Sequence, residues 1–379
     1  MALLGDASAF DLLDKPSLLT MYFARIRPYK IILPKDKQFK NRSKMLFVLN
    51  KLLNDLLHKS IIEFDDGKIK YNLHDFGVYV ETLHLVWRTV DTNNPEIEER
   101  FKACFPIFNN GFEEIRELAL KKTKKVMELI AWIYSDVTIE TLRFLPEETK
   151  DSSTKFNNSC YFNNYILDQQ KVEAETIEID GIKRTIYRIC VSINEQFIPL
   201  TLTPEDLGMK GMMQTLPLKV FIQMHALERI ETRLGKYHRI LHYPHIIPSF
   251  IIAGIVPTES KTSFLFPVNY ENTRMGYLKG DVIGDKLVIR TFLFVTNNGT
   301  PEGKKLNQLV GLQKADKKYL GIDKLSTFIQ SDIKNDEKLK AIFCEAGCGD
   351  LFNLSKTLLD DQGDKELASA QYIAKYLGI

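Results

Sequence analysis

His225, Arg229 and Arg233 stand four residues apart in the segment Phe221-Ile-Gln-Met-His-Ala-Leu-Glu-Arg-Ile-Glu-Thr-Arg-Leu-Gly235. At about 100° per residue they form one ridge of a helix. Met224, Leu227, Ile230 and Leu234 fall on the other side as a stripe to be buried, and Gly235 supplies a C-terminal stop. Histidine is the side chain suited to proton transfer near neutral pH. The planar fork of arginine suits a phosphate or carboxylate. An exposed helical arginine is stabilised by a carboxylate three or four positions away, and a like-charge pair at that spacing costs roughly 0.2–0.5 kcal/mol. Arg229 and Arg233 have no such carboxylate and face each other at that spacing. A partner elsewhere in the fold, or a bound phosphate, would supply the missing charge. The plainer alternative is a solvated face carrying a surface histidine.

The elements that must position this ridge follow from periodicity. A helix is predicted over 218–234. Alternation of apolar and polar residues predicts strands at 263–268, 276–283 and 286–296, the last two joined by a tight turn at Gly284-Asp285. The last strand, Leu287-Val-Ile-Arg-Thr-Phe-Leu-Phe294, carries Arg290 and Thr291. A charge inside an apolar strand needs a partner. Arg290 either pairs within the fold, with Glu228 or Asp281, or faces the same anion as the helix. Upstream, Asp180-Gly181 joins strands at 172–179 and 182–193. Thr203-Pro204-Glu205-Asp206 reads as the start of a helix or a turn, and Thr300-Pro301-Glu302-Gly303 as a helix start. Further helices are expected at 249–254, 323–333, 351–359 and 365–377.

The first half of the chain reads differently. Leu46, Leu49, Leu52, Leu53, Leu56 and Leu57 make one helical face, and Asp65-Asp66-Gly67 turns a hairpin between 61–64 and 69–71. Helices are expected at 75–90 and within 97–134. This arrangement is compatible with a winged helix. Residues 146–170, with an Asn/Ser-rich patch, read as a linker. The chain therefore divides into a mainly helical domain, 1–145, and an α+β domain, 171–379, in which helices pack on an antiparallel sheet. The N-terminal helices and the basic arm from Arg25 to Lys44 suit a protein or nucleic-acid partner. Lys121, Lys122, Lys124 and Lys125 read as an exposed helix face.

Composition sets limits. A 379-residue chain is long enough for two or three domains, and its net charge of +2 gives no global field, so any anion-binding surface is local. The five cysteines are dispersed, which reads as free thiols in a reducing cytoplasm. No signal peptide or membrane span is expected. His238 and His242 share a helical spacing, and His245 follows, but no second ligand pair at metal spacing accompanies them, so neither a metal nor a cofactor is expected. The phosphate loop, the dinucleotide fingerprint, the G-x-S-x-G elbow and His-Glu-x-x-His are all missing.

Gln223-Met-His-Ala-Leu-Glu-Arg-Ile-Glu-Thr-Arg-Leu234, with the strands after it, resembles the His-Ala-Leu-x-Arg helix of toxin-type ribonucleases of the barnase, colicin and RelE-like superfamily. The resemblance covers 218–296. It implies a helix on an antiparallel sheet and metal-independent RNA cleavage, in which the ribose 2′-oxygen attacks the adjacent phosphate. It places His225, Arg229, Arg233, Arg290 and Thr291 as catalytic candidates, with Arg274 further out. The chain departs from that plan by a preceding helical domain, a long proline-rich connection and a C-terminal extension. The alternatives are a nucleic-acid or protein-binding module without catalysis, and a metal-dependent nuclease built on Asp281, Asp285 and Lys286. The latter three span a hairpin turn, where such residues are common.

Overall fold

The computed structural model describes residues 28–35, 41–64, 69–87, 95–108, 112–147, 163–209, 217–235, 249–250, 254–270, 272–354 and 368–378, together with positions 11, 15 and 19. The chain forms two compact units. One comprises Met1–Ala131, Leu142–Gln169 and Ser192–Gln196; the other comprises Trp132–Thr141, Gln170–Val191 and Phe197–Ile379.

The first unit is helical around a small sheet. Its sheet has the order β1 (Lys30–Ile32), β5 (Asn164–Lys171), β4 (Glu140–Pro146). The helix Arg42–Lys59 buries Leu49, Leu53 and Leu57. It is followed by the expected hairpin of β2 (Ile61–Phe64) and β3 (Ile69–Asn72). The long helix Phe112–Tyr134 buries Ala119, Val126, Met127 and Ile130 on one face. Phe101, Phe105, Phe108 and Phe112 pack in series at its start in tilted and edge-to-face contacts, with centroids 4.9–6.3 Å apart. The linker expected at 146–170 is shorter than composition suggests. Asn164–Lys171 is a strand, paired in parallel with β1 through Lys30↔Asn164 and Ile32↔Ile166. Its partner lies more than 130 positions away, beyond the reach of local patterning.

The second unit is an eight-stranded sheet with helices. The strand order is β12 (Val256–Pro257), β13 (Ser263–Tyr270), β14 (Thr273–Ile283), β15 (Lys286–Phe294), β11 (Leu218–Gln223), β7 (Ile182–Arg188), β6 (Ala174–Ile179). The short strand β10 (Thr201–Leu202) also pairs with β11, and β8 (Cys190–Ile193) and β9 (Gln196–Pro199) lie between β7 and β10 in sequence. Every described pairing in this sheet is antiparallel except β11 with β15. The class is α+β, with a predominantly antiparallel sheet.

Two local expectations change at the start of the site helix. The helix predicted over 218–234 starts only at Met224; residues Leu218–Gln223 form β11. Five of those six residues are buried, and a parallel strand covered on both faces reads as a continuous apolar run with no alternation. Met224, placed in the buried stripe by periodicity, is 41% exposed, because the helix begins with it; Ala226, Leu227, Ile230 and Leu234 form the buried face instead. Thr203-Pro204-Glu205-Asp206 makes the hydrogen bonds of a capping box, Thr203 N–H to Asp206 Oδ2 and Asp206 N–H to Thr203 Oγ1, and closes a turn, one of the two outcomes its residues allow. Thr300-Pro301 does open a helix, Pro301–Val310, with Thr300 Oγ1 accepting from Gly303 N–H at 3.0 Å.

Candidate functional site

The parallel pair β11 and β15 sets the site. β11 ends at Gln223 and the chain turns directly into the helix Met224–Leu234. No side chain caps the start of that helix, and no acidic residue occupies its first turn. Its backbone N–H groups and positive dipole end therefore favour an anion. At this junction lies a cleft of about 520 Å³ lined by Arg184, Gln223, His225, Lys279, Asp281, Arg290 and Thr291.

Each lining residue has a structural reason to be there. Gln223 pairs with Ile186 of β7, which brings Arg184, two positions earlier, onto the neighbouring strand's share of the wall. Lys279 and Asp281 are two apart on β14 and share a face. Arg290 and Thr291 are consecutive, so a regular strand would send them to opposite faces. The ladder resolves this. Gly280 pairs with Ile289 and Lys279 with Thr291, leaving Arg290 as the extra residue of a bulge. A bulge re-aims side chains, and both residues line the cleft. Gly280 fits the spot because a Cβ there would come within 2.8 Å of Ile289 Cδ1.

The charges are unevenly satisfied. Arg290 is held between two carboxylates, Nη1 donating to Asp281 Oδ2 at 2.9 Å and Nη2 to Asp180 Oδ2 at 2.6 Å. Burial opposes its charge, and the Asp180 and Asp281 carboxylates outweigh that effect, so the guanidinium is held above its ordinary range. Asp180 reaches this position because the Asp180-Gly181 turn adopts the left-handed conformation its sequence predicts, φ 53° and 75°. Arg184 and Lys279 have no ion-pair partner among the described residues. Gln223 is 8% exposed and its Nε2 has no hydrogen-bond partner, although a buried donor ordinarily finds one.

The sequence-derived candidates separate into two groups. His225, Arg290 and Thr291 meet in the cleft. Arg229 stands beside it, with Nε 3.4 Å from His225 Nε2, while His225 Nδ1 lies 3.8 Å from Glu228. Arg233 belongs elsewhere. Its guanidinium pairs with Asp323, whose side chain is buried while that of Arg233 is largely covered, so of the two alternatives, a fold partner or a bound phosphate, the fold partner supplies the charge. Arg290 likewise finds the Asp281 partner that its apolar strand demands. Arg274 donates to Asn269 Oδ1 and to the Tyr277 hydroxyl and lies over the Tyr277 ring. Of the metal-nuclease alternative, Asp281 pairs with Arg290, and Asp285 with Lys286 and Lys219. His238, His242 and His245 lie outside the described residues.

Arg184, Lys279 and Gln223 were not singled out by spacing. Arg184 lies in the polar run Lys183-Arg184-Thr185, and Lys279 alternates among apolar residues, which is how any half-exposed strand reads. The basic patches outside the cleft serve partly as structure. Arg42 donates to the carbonyls of Leu33 and Pro34, Lys122 donates to the Ile61 carbonyl, and Lys124 pairs with Glu195. No helix among the described residues is long and apolar enough to cross a membrane. No family model, curated protein or solved structure matches the chain.

Proposed function

We propose that the second unit binds the phosphodiester backbone of RNA, or another phosphate-bearing ligand, in the cleft where β11 meets the helix Met224–Leu234. The observation that carries this reading is the orphaned Nε2 of buried Gln223, set among Arg184, Lys279 and an uncapped helix start. A buried donor without a partner costs about 1–3 kcal/mol, and a phosphate oxygen would remove that cost. The free thiols Cys104, Cys190, Cys344 and Cys348 fit a reducing cytoplasm. The N-terminal helices are left as the surface for a protein partner.

The test is salt-dependent binding of single-stranded RNA. Replacing Arg184 and Lys279 by alanine together should weaken binding and lower the log–log salt slope by roughly 0.7 per lost phosphate contact. An affinity and slope unchanged in the folded double variant reject the cleft as the binding surface.

A second reading, metal-independent and toxin-like RNA cleavage, is favoured by one observation: His225 sits on the cleft wall next to Arg229, the pair named by the ribonuclease resemblance. In that reading His225 accepts the 2′-hydroxyl proton while Arg184 and Lys279 face the phosphate. Cleavage needs a base and an acid, and the described lining offers a single imidazole, which is why binding stands first. RNA cut in the presence of EDTA, and left whole by a folded His225→Ala variant, would establish the ribonuclease. RNA left intact by the native chain rejects it.

A further inference from the structure

Three ligating side chains meet in the first unit at the base of the β2–β3 hairpin. His58 lies in the last turn of the helix Arg42–Lys59, and His74 and Asp75 belong to the next helical turn, Leu73–Asp75. The backbone makes that meeting obligatory. Ser60 N–H donates to Leu56 O at 3.0 Å, and Leu73 N–H donates to Ser60 O at 2.9 Å, so the end of one helix is tied to the start of the next. The two imidazoles stack with centroids 4.2 Å apart and planes inclined by 21°. One donor atom from each of His58, His74 and Asp75 lies within 4.8 Å of the other two.

Hydrogen bonds fix which nitrogens are free. His58 Nδ1 lies 2.8 Å from Asn54 O, and His74 Nδ1 lies 3.1 Å from Asp75 Oδ1. A carbonyl and an ionised carboxylate only accept, so each ring donates from Nδ1, and in the neutral tautomer the lone pair is on Nε2. Metal-bound histidines almost always have this arrangement, with one nitrogen on the ion and the other N–H on a carbonyl or carboxylate. The carboxylate is itself anchored: Asn72 Nδ2 donates to Asp75 Oδ2 at 2.8 Å, and Asn72 Oδ1 accepts from Asp75 N–H at 2.7 Å. Neutral imidazoles with a carboxylate suit zinc, nickel or copper better than magnesium or calcium, which prefer oxygen alone.

We propose that His58 and His74 bind a divalent transition-metal ion of the zinc class through Nε2, with Asp75 orienting His74 and water filling the open positions. At bond lengths of about 2.0–2.1 Å, two nitrogens on one tetrahedral ion sit roughly 3.4 Å apart. His58 is exposed, so its ring can be re-aimed by side-chain rotation at the expense of its stacking on His74, whereas His74 and Asp75 are half-buried and held. The ion would clasp the two helix ends across the hairpin, and it would stabilise the folded chain in proportion to its occupancy.

The test uses the untagged full chain, stripped with chelator and titrated with zinc chloride by calorimetry. One equivalent is expected to bind and to raise the melting temperature. His58→Gln and His74→Gln should each weaken binding at least ten-fold, while His225→Ala leaves it unchanged. Because His58 is exposed, His58→Gln is the variant least able to disturb folding, and circular dichroism checks that it has not. No binding by the native chain, or binding of the same strength in folded His58→Gln, overturns the assignment.

Discussion

The pair Arg233–Asp323 offers the sharpest test of how the helix is used. Its side chains are 11% and 7% exposed, and the second carboxylate oxygen of Asp323, Oδ1, has no hydrogen-bond partner. Arg233→Met keeps much of the apolar stem but leaves a buried carboxylate bare. Removing one partner of a buried pair typically costs about 3–5 kcal/mol, whereas replacing both by apolar residues is often neutral. For a unit of this size each kcal/mol lowers the melting temperature by roughly 2–4 °C. Arg233→Met should therefore lower it by about 6–20 °C, and adding Asp323→Leu should restore most of that loss. Urea denaturation at neutral pH measures both variants. The native chain and the double variant should also bind RNA equally, because Arg233 is committed to the fold. A single variant that loses less than about 1 kcal/mol, or a double variant no better than the single, refutes the buried-pair account. Loss of RNA affinity in the folded double variant would return Arg233 to the ligand.

Three further outcomes are expected. Gln223→Met removes the orphaned donor and should raise stability by about 1 kcal/mol while weakening RNA binding; denaturation and binding curves that move the opposite way would mean the amide is satisfied and faces no ligand. Gly303→Ala places a Cβ 1.8 Å from Asn297 O and 2.3 Å from Asn297 C, so the start of the helix Pro301–Val310 must shift, at a cost of about 3 kcal/mol or more; a near-native melting temperature contradicts the close approach. Burial pushes the Lys317 ammonium down to about 8, while its Nζ donates to Gly303 O at 2.8 Å and to Asn298 Oδ1. Between about pH 8 and the ordinary lysine value near 10.4 the unfolded chain holds the extra proton, so stability attributable to Lys317 should rise with pH across that window. Denaturation of the native chain against Lys317→Met at the two ends of the window checks the sign, and a difference that falls or stays flat rejects it.

Much of the architecture was written in local chemistry. Turn residues placed the Asp180-Gly181 and Gly284-Asp285 hairpins, since positive φ is cheap for few residues. Alternation located β13, β14 and β15, and Thr300-Pro301 marked a helix start. The ridge of His225, Arg229 and Arg233 was legible as helical, and Arg290 was legible as needing a partner, because burying a bare charge is expensive in any fold. Its position alone leaves open whether that partner is Asp281, Glu228 or an external anion.

Tertiary structure decided which of these residues act together. Leu218–Gln223 is a strand only because β15 and β7 flank it; the same apolar run alone suits a helix equally well. Arg233 turned inward because Asp323, ninety positions away, arrives at its tip. Arg290 and Thr291 share a cleft because a bulge breaks the alternation that would separate them, and a bulge is a property of the pairing between two strands. Gln223 shows its significance only as a buried amide without a partner, a fact that exists once neighbours are in place. The sequence by itself determined the charges and the periods; long-range pairing determined which charges were neutralised by the fold and which remained facing the cleft.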